Sequence, residues 1–204
     1  MTDVCIARTL RPGREYGRAG AAVPVDREGL ECRAREAALK ADLYFRAETL
    51  GYDARHLLEE LVGHLGEGAI VRPPFFVDYG ENIFIGARTF VNYNLTALDV
   101  ASITIGNDCQ IGPNVQLLTP ARPTDPEGHR ETTAAARPIT IGDNVWLGGG
   151  VIVCPGVTIG ENSVIVEGSV VTDDIPANVI AQGNPACVVR LAGAAGNPAT
   201  RPGE

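Results

Sequence analysis

The feature that constrains the fold most is a six-residue repeat of aliphatic side chains that runs from about residue 75 onward. Its anchor residues form three runs with steps of six: Ile85 and Val91; Ile105, Ile111 and Leu117; Ile141, Leu147, Val153, Ile159, Ile165 and Val171. Four positions after these anchors stand residues that are nearly all small or apolar: Thr89, Leu95, Cys109, Val115, Val145, Val151, Val157, Ser163, Ser169 and Ile175. A period of six fits neither an α-helix nor a simple strand, and is typical of a parallel β-helix.

Glycines support the same interpretation, because many of them directly follow an anchor: Gly86, Gly106, Gly112, Gly142, Gly148 and Gly160. Glycine and asparagine allow the sharp turns at the corners of such a fold. A β-sandwich of short strands is the alternative, but sandwiches lack a short repeat sustained over this length. We therefore predict a mainly β fold, a parallel β-helix over residues 71–190.

Residues 1–70 lack the six-residue repeat, and their pattern predicts an irregular lead-in followed by two helices. After Asp26, apolar residues recur at helical steps from Leu30 to Phe45. A second such stripe runs from Leu57 to Leu65 after Asp53, and both aspartates are candidate N-caps. Gly66 and Gly68 are expected to end the second helix.

Two segments lack the repeat. Residues 119–138 are rich in proline, threonine and charge, and we expect them to leave the β-helix as one long extruded loop. Loops longer than about 12–15 residues are uncommon in compact domains and are usually functional, although a solvated insertion is the alternative. The tail at 191–204 has no apolar periodicity and is expected to be disordered.

Composition narrows the classes of partner. A net charge of -8 and a pI near 4.9 argue against a nucleic-acid partner, which would require a basic surface. No apolar run approaches the roughly 20 residues of a membrane span, and the first residues do not resemble a signal peptide, so we expect a cytoplasmic protein. The five cysteines show no C-x-x-C spacing, and no metal site is predicted.

Five stretches carry a resemblance to a known family: DYGENIFIG at 78–86, VNYNLTALDV at 91–100, ITIGDNVWLGGGVIVCPGVTIGENSVI at 139–165, VVTDDIPANV at 170–179 and GNPA at 183–186. They resemble the maltose and galactoside O-acetyltransferase branch of the hexapeptide-repeat acyltransferases. The resemblance covers most of residues 71–190. It implies a left-handed β-helix, a homotrimer with active sites between subunits, and acetyl-CoA or another acyl-CoA as co-substrate.

In that family a loop histidine acts as general base on an acceptor hydroxyl, which then attacks the thioester. The matching position here is Arg122, within Thr119-Pro-Ala-Arg-Pro-Thr-Asp-Pro126. A guanidinium stays protonated and has no acceptor atom, so Arg122 cannot take up a proton. His129, seven residues further in the same loop, is a candidate substitute base, although a lone loop histidine is more often only solvated.

Cofactor positions are partly altered. Thr172, Trp146 and Arg190 match residues expected to contact the cofactor or line its cleft. Asp173 and Cys187, however, stand where the family has basic residues. Replacing two cations near a polyanionic cofactor is expected to weaken its binding. Trp146 has an alternative role, covering apolar surface at a subunit contact.

The acceptor positions are better kept. Asn92 matches an acceptor-orienting asparagine, and its amide could hold a hydroxyl or polarise a carbonyl. The alternative is a corner asparagine of the β-helix. Asp99 matches a carboxylate of the substrate region, and it could equally serve as an acceptor for backbone N–H groups.

Two functions follow from these observations. The first is an acyltransferase that moves an acetyl group from CoA to a hydroxyl of a sugar or sugar-like small molecule. The second is a diverged relative without acetyl-CoA chemistry, either a non-catalytic binding protein or an enzyme that uses Arg122 for a different reaction. The changes at Arg122, Asp173 and Cys187 favour the second, whereas Asn92 and the repeat favour the first.

Overall fold

The computed structural model describes residues 27–121 and 135–193. Two helices come first, α1 (Arg27–Thr49) and α2 (Arg55–Leu61), as the apolar stripes predicted. Tyr44 of α1 is buried and donates a hydrogen bond to the Val71 carbonyl, which ties the helix to the β-structure. The N-cap of α2 is Ala54 rather than the predicted Asp53, although Asp53 Oδ1 accepts a hydrogen bond from the Arg55 amide at 3.1 Å. The other predicted cap, Asp26, lies outside the described residues. Neither described helix is long and apolar enough to cross a membrane.

The rest of the described chain winds through three parallel sheets, which form the faces of a prism. Face A consists of β1 (His64–Leu65), β4 (Ile83–Ile85), β7 (Ile103–Ile105), β12 (Ile139–Ile141) and β15 (Thr158–Ile159). Face B consists of β2 (Ile70–Val71), β5 (Phe90–Val91), β8 (Gln110–Ile111), β13 (Trp146–Leu147), β16 (Val164–Ile165), β18 (Val179–Gly183) and β19 (Ala186–Leu191). Face C consists of β3 (Phe75–Val77), β6 (Leu95–Leu98), β9 (Gln116–Leu118), β14 (Ile152–Val153) and β17 (Val170–Val171).

The predicted parallel β-helix is confirmed by its register. Phe84 lies beside Thr104, Thr104 beside Thr140, and Thr140 beside Thr158, so each coil stacks directly on the next. The last strand, β19, turns back and pairs antiparallel with β18. Every hexad anchor from Ile85 to Val171 is at most 1% exposed, and the residues four positions later are at most 5% exposed. The repeat therefore predicted the interior of the prism correctly.

Glycines at the corner between faces A and B are required by the close approach of stacked coils. A Cβ at Gly106 would lie 2.4 Å from Asp143 Oδ1 and 2.7 Å from the Asp143 amide nitrogen. The backbone amide of Gly106 donates to the Ile141 carbonyl at 2.9 Å, which fixes this spacing. Any side chain here would separate two coils that the hydrogen bonds hold together.

The second helix is shorter than its apolar stripe predicted. It ends at Leu61, and Val62 is already extended, with φ -96° and ψ 153°. His64 and Leu65 form β1, so the β-helix begins at His64 rather than at residue 71. The reason lies at Gly66, whose amide donates to the Ile85 carbonyl at 2.8 Å; this glycine belongs to the A–B corner rather than to a helix end.

The predicted loop leaves the prism at the corner between faces C and A. Its two ends, β10 (Pro120–Ala121) and β11 (Ala135–Ala136), pair as a short antiparallel ribbon. Residues 122–134 lie outside the described residues, as do residues 194–204 of the predicted tail. The structure therefore shows where the loop starts and returns, between β9 and β12.

Candidate functional site

The corner between faces B and C carries the side chains of the candidate acceptor site. The first residue after each of the first five face-B strands stands in one column: Arg72, Asn92, Gly112, Gly148 and Val166. The Arg72 amide donates to the Val91 carbonyl at 2.8 Å, and the Asn92 amide donates to the Ile111 carbonyl at 2.9 Å. Neighbouring members of the column are therefore about 4.8 Å apart along the stack.

Asn92 is partly exposed on this corner, and one end of its side chain is fixed. Its Oδ1 accepts a hydrogen bond from the Tyr93 amide at 2.9 Å. The Nδ2 group forms no hydrogen bond with any residue in the described ranges. Asn92 is not a left-handed corner asparagine, because Asn94 holds that position with φ 63° and Asn92 is not among the residues with positive φ. Its side chain keeps an amide donor that a ligand could use.

Arg72 is the neighbour of Asn92 in this column, and the sequence interpretation did not single it out. Its guanidinium carbon lies 5.1 Å from the centre of the Phe90 ring and 5.1 Å from the centre of the Tyr93 ring. Phe90 and Tyr93 flank Val91 and Asn92 in the next coil, so Arg72 reaches across one coil. The signal was the 20-residue offset between positions 72 and 92, the same offset that relates Phe84 to Thr104.

Trp146 projects from face B and is 50% exposed. It belongs to an outward row whose members pair in register from strand to strand: Ile70, Phe90, Gln110, Trp146, Val164, Ile180 and Arg190. Trp146 and Arg190, both predicted to contact the cofactor, therefore share one face of the prism. Cys187 lies on the same strand as Arg190, opposite Gln182.

Thr172 lies apart from those two residues. It follows β17 at the corner between faces C and A, next to Cys154 in the adjacent coil. Its hydroxyl donates to Asp173 Oδ2 at 3.0 Å. Asp173 is exposed, so a carboxylate rather than a cation faces solvent here. One chain therefore carries the predicted cofactor residues in two places separated by the width of face C.

Asp99 is fully buried at the C–A corner. Its Oδ1 accepts from the amides of Asp78 at 3.0 Å and Tyr79 at 2.8 Å, and its Oδ2 accepts from the amide of Asn82 at 3.2 Å. The Asn82 side chain also donates to the Asp99 carbonyl at 2.8 Å. These bonds give Asp99 the structural role that was the alternative to substrate binding.

Asp78 is the ionisable neighbour of that buried carboxylate. Burial raises the pKa of Asp78, and the charge of Asp99 raises it further. Burial likewise raises the pKa of the adjacent Tyr79, with Asp78 adding to the effect and the nearby Arg33 opposing it. The ionised form of Asp78 is therefore less favourable in the folded protein than in water, which lowers the stability of the folded state when this group is charged.

The described part of the chain contains no cluster of histidine, cysteine or acidic side chains that could hold a metal ion. Cys109 is in the core, where burial raises the pKa of its thiol. Its Sγ lies 3.1 Å from the Gly142 carbonyl oxygen, so this thiol packs as a small buried residue.

The loop residues predicted to take part in chemistry, Arg122 and His129, lie outside the described residues. The base of the loop is well defined. Thr119 is buried, its amide and hydroxyl both donate to the Leu98 carbonyl, and its own carbonyl accepts from the Arg137 amide at 2.9 Å. The loop therefore starts at the C–A corner, whereas Asn92 stands at the B–C corner.

Comparison with known proteins agrees with the fold. The family described as bacterial transferase hexapeptide (six repeats) matches residues 138–173. The galactoside O-acetyltransferase of Escherichia coli strain K12 is 44% identical over 156 residues, spanning 71% of this chain and 77% of that protein.

Two solved structures extend the likeness to three dimensions. A maltose O-acetyltransferase from Clostridium difficile 630 aligns with a TM-score of 0.78 and 40% identity, over 81% of this chain and 89% of that one. A hexapeptide-repeat-containing acetyltransferase from Vibrio cholerae, complexed with acetyl coenzyme A, aligns with a TM-score of 0.76 and 36% identity, over 81% and 90%. The repeat, the prism and these relatives together establish that the chain belongs to the hexapeptide-repeat acetyltransferases, alongside the galactoside and maltose O-acetyltransferases.

Proposed function

We propose that this protein transfers an acetyl group from acetyl-CoA to a hydroxyl of a sugar or sugar-like acceptor, with Asn92 holding the acceptor. The observation that carries the proposal is the side chain of Asn92. Because the Tyr93 amide fixes its Oδ1, the Nδ2 group points a donor away from the corner backbone. Such a preorganised donor can hold the acceptor oxygen or the thioester carbonyl.

The active site is shared between subunits of a homotrimer in this proposal. On one chain, Asn92 stands at the B–C corner and the loop base at the C–A corner. Trp146 and Arg190 likewise lie on face B, whereas Thr172 lies at the C–A corner. A neighbouring subunit that places its C–A corner against the B–C corner of the first would bring both sets together.

The reaction requires a proton to leave the acceptor. The hydroxyl oxygen forms a bond to the thioester carbonyl carbon, the C–S bond breaks, and the hydroxyl proton ends on the sulfur of CoA. Arg122 cannot carry that proton, but its guanidinium can stabilise the oxyanion of the tetrahedral intermediate. His129 is the proposed carrier, since an imidazole exchanges protons near neutral pH.

A second function is favoured by one specific observation, the carboxylate of Asp173 beside Thr172. A negative charge at a position proposed to face CoA phosphates opposes cofactor binding. Together with Arg122 and Cys187, this supports a diverged protein that keeps the scaffold without acetyl-CoA chemistry. Such a protein either binds a small molecule or uses Arg122 on an anionic substrate.

Calorimetric titration with acetyl-CoA separates the two functions, and it is run on the natural protein, Arg122→His and Asp173→Lys. Acetyl transfer predicts binding by the natural protein and tighter binding by Asp173→Lys. The rate of CoA release is also measured with a hydroxyl acceptor present. If no residue of the natural protein acts as a base, Arg122→His is expected to raise this rate by about 10²–10⁴-fold. If His129 is the base, His129→Ala is expected to abolish CoA release. Absence of binding by all three proteins would exclude acetyl transfer.

A further inference from the structure

We infer that Arg72 is an acceptor-specificity residue, and that it selects acceptors bearing an oxyanion such as a carboxylate or phosphate near the acetylated hydroxyl. This inference rests on the proposed function, because it takes Asn92 as the acceptor residue. The juxtaposition that supports it is a guanidinium in contact with two rings, on a residue one coil away from a free amide on the same corner.

Cation–π contacts position the side chain of Arg72. Its guanidinium carbon lies 5.1 Å from the centre of the Phe90 ring and 5.1 Å from the centre of the Tyr93 ring, within the range of a cation–π contact. Such a contact does not use the N–H donors of the guanidinium in hydrogen bonds to an oxygen acceptor. Two ring contacts also favour some rotamers of a long side chain, which lowers the entropy lost when it binds a ligand.

The charge of Arg72 is not neutralised within the described residues. Six other basic side chains of those residues have a carboxylate within 4.0 Å: Arg33, Arg35, Lys40, Arg46, Arg55 and Arg88. Arg72 forms no ion pair with a described residue, although the whole chain has a net charge of -8. An exposed, immobilised and unpaired guanidinium is suited to a bidentate contact with an oxyanion.

The position of Arg72 favours the acceptor over the cofactor as the source of that anion. Arg72 belongs to the first coil and Asn92 to the second, whereas Trp146 belongs to the coil that begins with β12. Arg72 therefore lies on the side of Asn92 away from Trp146. An acceptor held by the Asn92 amide extends toward Arg72 over a distance of about one strand spacing, 4.8 Å.

The test is direct binding, which does not depend on turnover. The purified protein, in the assembly it forms in solution, is titrated calorimetrically with a neutral hexose, the corresponding uronic acid and the corresponding hexose phosphate, in a buffer without oxyanions. We expect the anionic sugars to bind at least about 10-fold tighter than the hexose, by analogy with charge-assisted hydrogen bonds. Comparing the uronic acid with the phosphate identifies which oxyanion fits.

The variants are Arg72→Ala, Arg72→Lys and the control Arg46→Ala, which removes an exposed cation of α1 whose guanidinium is paired with Asp42. Arg72→Ala is expected to abolish the preference for anionic sugars. Arg72→Lys is expected to retain part of this preference, because lysine keeps the positive charge but lacks the bidentate donor geometry of the guanidinium. Arg46→Ala should behave as the natural protein. Where turnover is measurable, Arg72→Ala should raise KM for the anionic acceptor and leave KM for acetyl-CoA unchanged.

The outcomes separate this inference from the proposed function. Binding of anionic sugars that depends on Arg72, without transfer of an acetyl group, would support the inference and overturn the proposed function. Acetyl transfer that proceeds equally well with neutral and anionic acceptors would support the proposed function and overturn the inference about Arg72. An increase in KM for acetyl-CoA in Arg72→Ala would also overturn that inference, since Arg72 would then act on the cofactor.

Discussion

Asn144 donates its side-chain amide to Asn162 Oδ1 at 2.9 Å, although the two residues belong to successive coils. Asn162 in turn donates to Asn178 Oδ1 at 3.1 Å. All three have positive φ, at 53°, 56° and 60°. Asparagine suits this corner twice, because it tolerates the left-handed region and its side chain bonds to the next coil.

We expect Asn162→Ala to lower the free energy of unfolding by about 2 kcal/mol, from the cost of a left-handed alanine and the loss of ladder hydrogen bonds. Asn162→Gly keeps the backbone conformation and should cost less than about 1 kcal/mol. Urea denaturation of both variants checks this. Equal losses would show that the ladder, and not the backbone, dominates.

Gly106→Ala should destabilise the protein by about 3 kcal/mol or prevent folding, because its Cβ would lie 2.4 Å from Asp143 Oδ1 and 2.7 Å from the Asp143 amide nitrogen. Gly149→Ala is the matched control, since its Cβ would meet nothing closer than the Pro113 carbonyl at 3.4 Å. Thermal unfolding of the two variants compares them. Similar melting temperatures would contradict the account of the A–B corner.

Asp99→Asn should lower the unfolding free energy by about 1–3 kcal/mol. Both carboxylate oxygens of Asp99 accept hydrogen bonds from backbone N–H groups, and the new amide would place a donor where one of these oxygens now accepts. The control Asp42→Asn, at a half-buried position of α1, should change it by less than about 0.5 kcal/mol. In folded Asp99→Asn, KM for the acceptor should not change. A specific rise in that KM would instead assign Asp99 to substrate binding.

Asp78→Asn should stabilise the protein at pH 7 more than at pH 3.5. The folded state raises the pKa of Asp78, so the native protein binds this proton more tightly than the unfolded chain. Stability therefore falls as pH rises from the unfolded pKa through the folded one, and the neutral variant escapes that loss.

Asp108→Asn provides the opposite control. Hydrogen bonding to Arg88 lowers the pKa of Asp108, so its contribution to stability is present above its unfolded pKa and is lost as pH falls through the folded pKa. This variant should therefore be less stable than the natural protein at pH 7, and the difference should shrink in acid. Urea denaturation at the two pH values gives both signs.

Asn92→Asp and Asn92→Ala together separate the corner role of Asn92, which accepts a hydrogen bond from the Tyr93 amide, from its proposed role in holding the acceptor. Both remove the Nδ2 donor, but Asn92→Asp retains an oxygen that can accept from the Tyr93 amide. We expect both to lower kcat/KM by at least about 10-fold, and only Asn92→Ala to lower stability, by about 1 kcal/mol. Normal activity in Asn92→Asp would leave Asn92 with a corner role alone.

Much of the architecture could be predicted from residue spacing. The inward positions followed from the hexad, since a strand alternates its side chains and each anchor from Ile85 to Val171 is buried. The second helix was predicted too long because the stripe from Leu57 to Leu65 fits a helix as well as a helix followed by a strand. Only the hydrogen bond from Gly66 to Ile85 in the next coil decides between them.

The candidate site was harder to predict, because its members are brought together by stacking. Asn92 was found through resemblance, but Arg72 became its neighbour only once the coil length placed positions 72 and 92 in one column. The repeat by itself therefore determined the prism and its core, which depend on short-range periodicity. The tertiary structure decided which polar side chains share a corner, and that Trp146 lies on face B while Thr172 lies at the C–A corner, since the lengths of the coils set their register.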